Sequence, residues 1–306
     1  MTNTTPYRVK TISAFHELRG LPKAKHPLIS VINLEDKTLT PGKERYSVIL
    51  DFYSISIKRA SNIKFKYGQQ EYDFNEGVMF FMAPHQVFSV ETRQDSVTKQ
   101  SGWVLLIHPD FLWNTSLAKT IKKYEFFDYS VNEALFLSEK EEAIINNIIQ
   151  NIQQEYHSNI DKFTQDIIIA QIETLLNYAE RFYHRQFVTR KKANHQTLDQ
   201  LDKLLADYFD SEDLQKKGLP TVQYISERLN ISSSYLRGLL KVLTGQNTQQ
   251  HIHDKLIEKA KEKLSTTSLS VSEIAYELGF EHPQSFSKLF KTKTSLSPLE
   301  FRQSFN

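Results

Sequence analysis

At 306 residues the chain is long enough for two domains, by the rough guide of about 100–200 residues each. A composition of 40% hydrophobic and 24% charged residues is that of a globular protein, and a net charge of +2 is too mild to argue by itself for nucleic acid. The absence of cysteine excludes disulfides, thiolate metal sites and cysteine catalysis, and fits a reducing compartment. Met1 to Thr5 is polar and lacks the apolar core of a signal peptide. The longest apolar runs, Val78 to Pro84 and Trp103 to Ile107, are far short of a membrane span. The expectation is a cytoplasmic protein with no membrane partner.

From Met1 to about Leu137 the hydrophobic period is mostly 2. Ile63, Phe65 and Tyr67 point one way and Lys64 and Lys66 the other, as in a half-buried strand. Tyr53, Ile55 and Ile57 alternate with Ser54 and Ser56, while Val48, Leu50 and Phe52 hold the opposite phase. The shift at Phe52–Tyr53 implies a bulge or burial on both faces. Further runs at Leu28–Ile32, Val78–Met82, Val87–Val90 and Trp103–Ile107 are separated by Pro41-Gly42, Gly68, Asn75-Glu76-Gly77, Pro84 and Gly102. Short strands with frequent turns suggest an antiparallel barrel or sandwich, with strands to about residue 108. Phe52, Phe65, Phe80, Phe88 and Trp103 either line a small-molecule cavity or simply fill the core.

A metal-dependent enzyme would need two or three histidines and a carboxylate converging on one site. His16, His26, His85 and His108 offer no His-x-His or His-x-x-x-His pair within a strand. No Gly-rich phosphate loop and no Gly-x-Ser-x-Gly elbow is present. We therefore assign no catalytic residue, no cofactor and no metal ligand.

Between Leu137 and His195 the period changes to 3.6. Ser138 with Glu141 reads as a capping box opening a helix, followed by the stripe Ile144, Ile145, Ile148, Ile149, Ile152 and Tyr156. After His157-Ser158-Asn159 a second helix carries Phe163, Ile167, Ile168, Leu175, Leu176, Ala179 and Phe182. The two helices, at about 138–186, should pack antiparallel. The isoleucine stripe forms either a dimer seam or a contact with the strands. The polar run Arg190-Lys191-Lys192-Ala193-Asn194 reads as an interdomain linker. This divides the chain into 1–190 and 195–306.

The second part reads as helical throughout. Thr197 to Phe209 is a first helix, with Leu198, Leu201, Leu204, Leu205 and Tyr208 inward. Its outer face is acidic, and so points away from DNA. From Leu214 onward there are 13 Lys/Arg against 8 Asp/Glu, a net charge of +5. Thr221 caps a helix with Val222, Ile225 and Leu229 inward. Ser232 or Ser233 caps the next, with Leu236, Leu239, Leu240 and Leu243 inward and Gly245 ending it. Thr248 to Leu264 connects this pair to a second. The connector's roughly 25 Å, with the width of the units added, roughly matches one DNA turn of about 34 Å. The second pair opens at Ser270-Val271-Ser272-Glu273, continues through Phe286, Leu289 and Phe290, and is followed by a short helix opening at Ser297-Pro298-Leu299-Glu300. Leu236/Phe286, Leu239/Leu289, Leu240/Phe290 and Lys241/Lys291 are all offset by 50. One helical hairpin would be weak evidence. Two with matching apolar positions read as tandem helix-turn-helix units.

The run Ser272-Glu273-Ile274-Ala275-Tyr276-Glu277-Leu278-Gly279-Phe280, then Phe286-Ser287-Lys288-Leu289-Phe290-Lys291 and Ser297-Pro298, closely resembles the DNA-binding domain of the AraC/XylS family of bacterial transcription regulators. The resemblance covers roughly the last 100 residues. Lys288 stands where the family usually has Arg, which keeps charge but loses bidentate geometry. Gly238 stands at the matching place in the first unit, Leu256 where an arginine is common, and Ser295 where a capping glycine is usual.

The resemblance implies a two-domain α+β protein. Its first domain is a cupin-like antiparallel barrel with a helical hairpin that senses an effector and dimerises through helices 138–186. Its second is an all-α domain of two helix-turn-helix units joined by a linker helix. The expected partners are double-stranded DNA, a second copy of the chain, a small-molecule effector and, for an activator, RNA polymerase. The candidate DNA contacts are Ser233, Ser234, Tyr235, Arg237 and Lys241, and in the second unit His282, Gln284, Ser285, Ser287, Lys288 and Lys291. Two other readings stand beside this one: an N-terminal protein-interaction module without ligand, and a cupin-type enzyme with a helical appendage.

Overall fold

Period-2 alternation produces strands through most of the first half. In order they are β1 (Tyr7–Val9), β2 (Ile29–Asn33), β3 (Tyr46–Leu50), β4 (Tyr53–Ala60), β5 (Phe65–Tyr67), β6 (Gln70–Tyr72), β7 (Val78–Met82), β8 (Val87–Val90), β9 (Gln100–Ile107) and β10 (Leu135–Phe136). Helices α1 (Ile12–Leu18), α2 (Ser116–Thr120), α3 (Glu139–His157) and α4 (Thr164–Thr189) accompany them. The computed structural model describes residues 6–34, 46–60, 65–67, 70–72, 77–90, 100–130, 133–158 and 161–304. The chain divides into two compact units, Met1–Gln186 and Phe187–Asn306. The expected turns at Pro41-Gly42, Gly68 and Asn75-Glu76, and residues Ile63 and Lys64, lie outside the described residues.

The expected barrel does not form among the described residues. The strands make a five-stranded antiparallel sheet in the order β10-β7-β4-β9-β2, a three-stranded sheet β1-β3-β8 and a hairpin β5-β6. β1 runs parallel to β3. The two larger sheets meet through side chains rather than ladder hydrogen bonds: Val9, Ile32, Val48, Leu50, Phe52 and Leu106 form one buried cluster. The phase shift at Phe52–Tyr53 is therefore a crossing between sheets, since β3 and β4 belong to different ones. Burial on both faces follows, with Ser54, Ile55, Ser56 and Ile57 all buried. Phe52 lies between the sheets, whereas buried Trp103 donates Nε1–H to Asn146 Oδ1 of α3 at 2.9 Å. Lys58 Nζ lies 5.8 Å from the ring centroid of half-buried Phe80, and the side chains of Phe65 and Phe88 are not among those described.

The four histidines serve local structure. His16 Nδ1 donates to Pro22 O at 2.6 Å and its Nε2 is paired with Ser30 Oγ at 2.9 Å. His26 Nδ1 accepts from Leu28 N–H, and its ring meets Phe111 edge-on at 5.6 Å. His85 reaches Asp51, and His108 Nδ1 caps a short 3-10 turn by accepting from Asp110 N–H.

The capping box at Ser138 forms as expected, with Glu141 returning to the Ser138 backbone N–H. Of the α3 stripe, Ile145, Ile148, Ile149 and Ile152 are buried, while Ile144 and Tyr156 are half-buried. Arg185 near the end of α4 grips Glu141 at the start of α3 at 2.7 Å, so the two helices run antiparallel. Gln186 accepts from Phe136 N–H and donates to Ala134 O, pinning α4 to the edge strand. Phe163 and Ile167, read among the apolar residues of the second helix, are exposed at 55% and 44%. Leu175 and Leu176 take the buried face with Ile168, Ile169 and Ile172.

The second unit holds α5 (Lys191–Phe209), α6 (Asp213–Lys217), α7 (Val222–Leu229), α8 (Ser233–Thr244), α9 (Thr248–Thr266), α10 (Val271–Glu277), α11 (Pro283–Thr294) and α12 (Pro298–Gln303). The segment expected to be a linker is helical: α5 begins at Lys191, and Arg190 alone separates it from α4. Lys and Ala are good helix formers, and Asn194 points inward to donate from Nδ2 to Phe187 O. Polarity there marks the first turn of a helix rather than a break. One core joins all the helices: Leu201, Leu205, Leu236, Leu240, Ile252, Leu256, Ile257, Ile274, Phe286 and Phe290 are buried together. Each contributes roughly 1.5–3 kcal/mol by leaving water. Among the described residues no helix is long and apolar enough to cross a membrane.

Candidate nucleic-acid interface

Each helix pair is built from local signals. Thr221 Oγ1 caps α7 by accepting from Tyr224 N–H, and Ser232 Oγ, rather than that of Ser233, caps α8 by accepting from Tyr235 N–H. Between them the chain turns on Asn230, at φ 56°. Asn tolerates this left-handed conformation through its short polar side chain. In the second pair Ser270 and Glu273 form a full capping box on α10, and the turn falls on Gly279 at φ 79°.

The two copies differ by one residue in that turn. Ile225/Ile274 and Asn230/Gly279 are offset by 49, whereas the α8 and α11 positions are offset by 50. The extra residue precedes His282, which is the N-cap of α11 without a side-chain hydrogen bond, and Pro283 takes the first turn instead.

The inward rows match. Leu236, Leu239 and Leu240 of α8 are buried, as are Phe286 and Phe290 of α11. The outward rows do not. On α11, His282, Gln284, Ser285, Lys288 and Lys291 are exposed and Ser287 is half-buried. On α8, Arg237 and Lys241 are exposed, with Ser234 half-buried beside them. Helical spacing places Ser234, Arg237 and Lys241 on one ridge, matching Gln284, Ser287 and Lys291.

Two of the expected contacts have other duties. Ser233 Oγ is hydrogen-bonded to Ser226 Oγ at 2.8 Å, joining α7 to α8. The Tyr235 ring meets buried Phe187 edge-on at 5.0 Å. Both flank the ridge rather than crown it. The sequence carried no signal for the Tyr235 contact, because Phe187 lies far upstream.

Helix ends show a second asymmetry. Gly245 caps α8 at φ 74°, while Ser295 caps α11 in the same left-handed conformation at φ 64°. An L residue there is strained by roughly 1–2 kcal/mol. Ser295→Gly is therefore expected to stabilise the second unit by about 0.5–1 kcal/mol, after the extra freedom of the unfolded chain is counted. Urea unfolding followed by helical circular dichroism reads this, and a stability equal to or below wild type contradicts it.

Comparison with known proteins agrees with this geometry. A helix-turn-helix domain family matches residues 225–304. The raffinose operon transcriptional regulatory protein RafR of Pediococcus pentosaceus is 36% identical over 84 residues, which are 28% of this chain and 30% of that protein. The HTH-type transcriptional activator RhaS of an Enterobacter species is 33% identical over 110 residues, 36% of this chain and 37% of that one. The chain thus spans about a third of the length of these relatives. Among solved structures, the C-terminal domain of a two-component response regulator yesN from Fusobacterium nucleatum is 31% identical, covering 35% of this chain and 98% of that one, with a TM-score of 0.31. With the doubled helix pairs, their caps and their outward cations in place, residues 225–304 of this chain form a helix-turn-helix domain of the AraC type.

Proposed function

We propose that this chain is a sequence-specific DNA-binding transcription regulator. The observation that carries the reading is the pair of helix-turn-helix units, whose second helices, α8 and α11, expose Arg237, Lys241, Lys288 and Lys291. Hydrogen-bonding side chains for base edges lie between cations for phosphates. Ser234, Gln284 and Ser285 supply the former, with His282 at the entry to α11. Ser287 lies between Gln284 and Lys291 on the α11 ridge, and Ser233 and Tyr235 flank the ridge of α8.

Residues 195–306 form the DNA-binding part of this proposal, and residues 1–190 the sensing and dimerising part. The cupin-like reading of the first unit draws support from its two facing sheets. Ser54, Ser56 and Lys58 share one face of β4 and are suited to a small-molecule effector. Burial lowers the Lys58 ammonium pKa to about 8, and the nearby Arg19 charge adds to this. Pairing of two copies through helices 138–186 would use the outer face of α4, which carries Ile167, with exposed Phe163 just before it, since Ile145, Ile148, Ile149 and Ile152 of α3 are already buried. In an activator the remaining partner is RNA polymerase, and the setting is the cytoplasm.

Selection from random-sequence DNA tests the reading. The full chain should enrich a site with two boxes about one helical turn apart. Its affinity should fall with salt, each neutralised phosphate adding about 0.9 to the slope. A chain that enriches no sequence overturns it.

A further inference from the structure

The connecting helix carries a polar clamp that touches both helix-turn-helix units. Asp254 on α9 accepts from Lys293 Nζ through Oδ1 at 2.7 Å and from Gln246 Nε2 through Oδ2 at 2.8 Å. Lys293 lies in the last turn of α11. Gln246 follows Gly245, the C-cap of α8. One carboxylate therefore joins the C-terminal ends of both candidate recognition helices to the helix between them. A neighbouring contact, Thr244 Oγ1 with His251 Nε2 at 2.9 Å, holds the same end of α8 to α9.

Resting on the DNA-reading assignment above, we propose that Asp254 is a positioning residue that sets the spacing of the two boxes this protein recognises.

The argument is one of direction. The core that joins the two units through α9 is apolar: Leu236, Leu240, Ile252, Leu256, Phe286 and Phe290. Apolar packing is strong but non-directional, so it tolerates small rolls of one helix on another. A carboxylate that accepts two hydrogen bonds in different directions does not. Inserting one base pair moves a box by about 3.4 Å and turns it by about 35°. A rigid pair of reading heads gains from a second box only when spacing matches, because linkage raises its effective concentration only in that geometry. The clamp is part-exposed, so its contribution to stability is small, and its loss leaves each unit folded on the shared core. Burial alone would raise the Asp254 pKa, yet the hydrogen bonds from Lys293 and Gln246 outweigh it and hold the carboxyl below the usual range. The clamp is ionised at neutral pH.

The test uses the full chain and the site that wild type enriches from random DNA. Gel shifts are run on that site, on versions with one base pair added or removed between the boxes, and on DNA with one box scrambled. Wild type is expected to lose roughly a hundredfold in affinity when the spacing changes by one base pair. Asp254→Ala should bind one-box DNA within about twofold of wild type, yet show only about tenfold spacing dependence. Asp254→Lys combined with Lys293→Glu should restore most of it, since Gln246 can donate or accept. Spacing dependence that survives Asp254→Ala undiminished overturns the positioning role, as does a reversed pair that fails to restore it. A wild-type chain that enriches no sequence overturns the DNA-reading assignment itself, and the positioning role with it.

Discussion

Gly279→Ala is expected to destabilise the C-terminal unit by about 2–5 kcal/mol, through left-handed strain and a backbone clash acting together. Gly279 sits in the turn between α10 and α11 at φ 79°. A Cβ there would stand 2.5 Å from Leu214 O and 3.0 Å from the Gly218 Cα, both backbone atoms of the α6 segment. Backbone cannot swing aside as a long side chain can, so the turn or α6 must move. Gly245→Ala is the matched control, with φ 74° and nothing within 4 Å of the added carbon. It should cost only the strain less the freedom that Ala removes from the unfolded chain, about 0.5–1 kcal/mol.

The measurement can be assigned to one unit. Both tryptophans, Trp103 and Trp113, lie in Met1–Gln186. Urea unfolding followed by tryptophan emission should be unchanged by Gly279→Ala, while the helical dichroism transition shifts to lower urea. Equal costs for the two glycine substitutions would sink the account of the clash.

Arg237→Ala and Lys288→Ala should weaken operator binding in different ways. The first unit has Gly238 where the second has Lys288, and Arg237 where the second has Ser287. The cation is thus displaced by one residue, about 100° around the helix. Arg237 shares its ridge with Ser234 and Lys241 and offers a planar fork suited to guanine. Its loss should cost about 1–3 kcal/mol and relax base preference in one box. Lys288 is a point charge suited to phosphate. Its loss should weaken binding evenly across sequences and lower the salt slope by about one. Gel shifts on the enriched site and on single-base variants, repeated over a salt series, separate the two outcomes. Unchanged affinity in both variants would count against the placement of these residues on DNA.

Much of the second unit was legible because its signals are local. Caps act over three residues, so Ser270 with Glu273 and Ser297 with Glu300 could be read directly and form as read. The 3.6 period placed Leu236, Leu240, Phe286 and Phe290 in the core, where they are buried. The first unit was less legible. Period 2 shows that strands exist and which face is apolar, but not which strands pair. Hence a parallel β1–β3 contact and two facing sheets stand where a barrel was expected. Lys191 to Asn194 misled for a different reason, since polar composition alone does not distinguish a linker from the first turn of a helix.

The sequence by itself determined that two helix-turn-helix units stand in tandem, several of the caps that open and close their helices, and which residues of each are apolar. Those properties depend on interactions within a turn or two of chain. Only the tertiary structure decided that the Tyr235 ring is met by Phe187, that Gly279 lies against the α6 backbone, and that Asp254 reaches both Gln246 and Lys293. Each of these joins elements that are separate along the chain. Hydrophobic packing brings them together without being specified by any local pattern, and only then do short-range sterics and hydrogen bonds choose the partners.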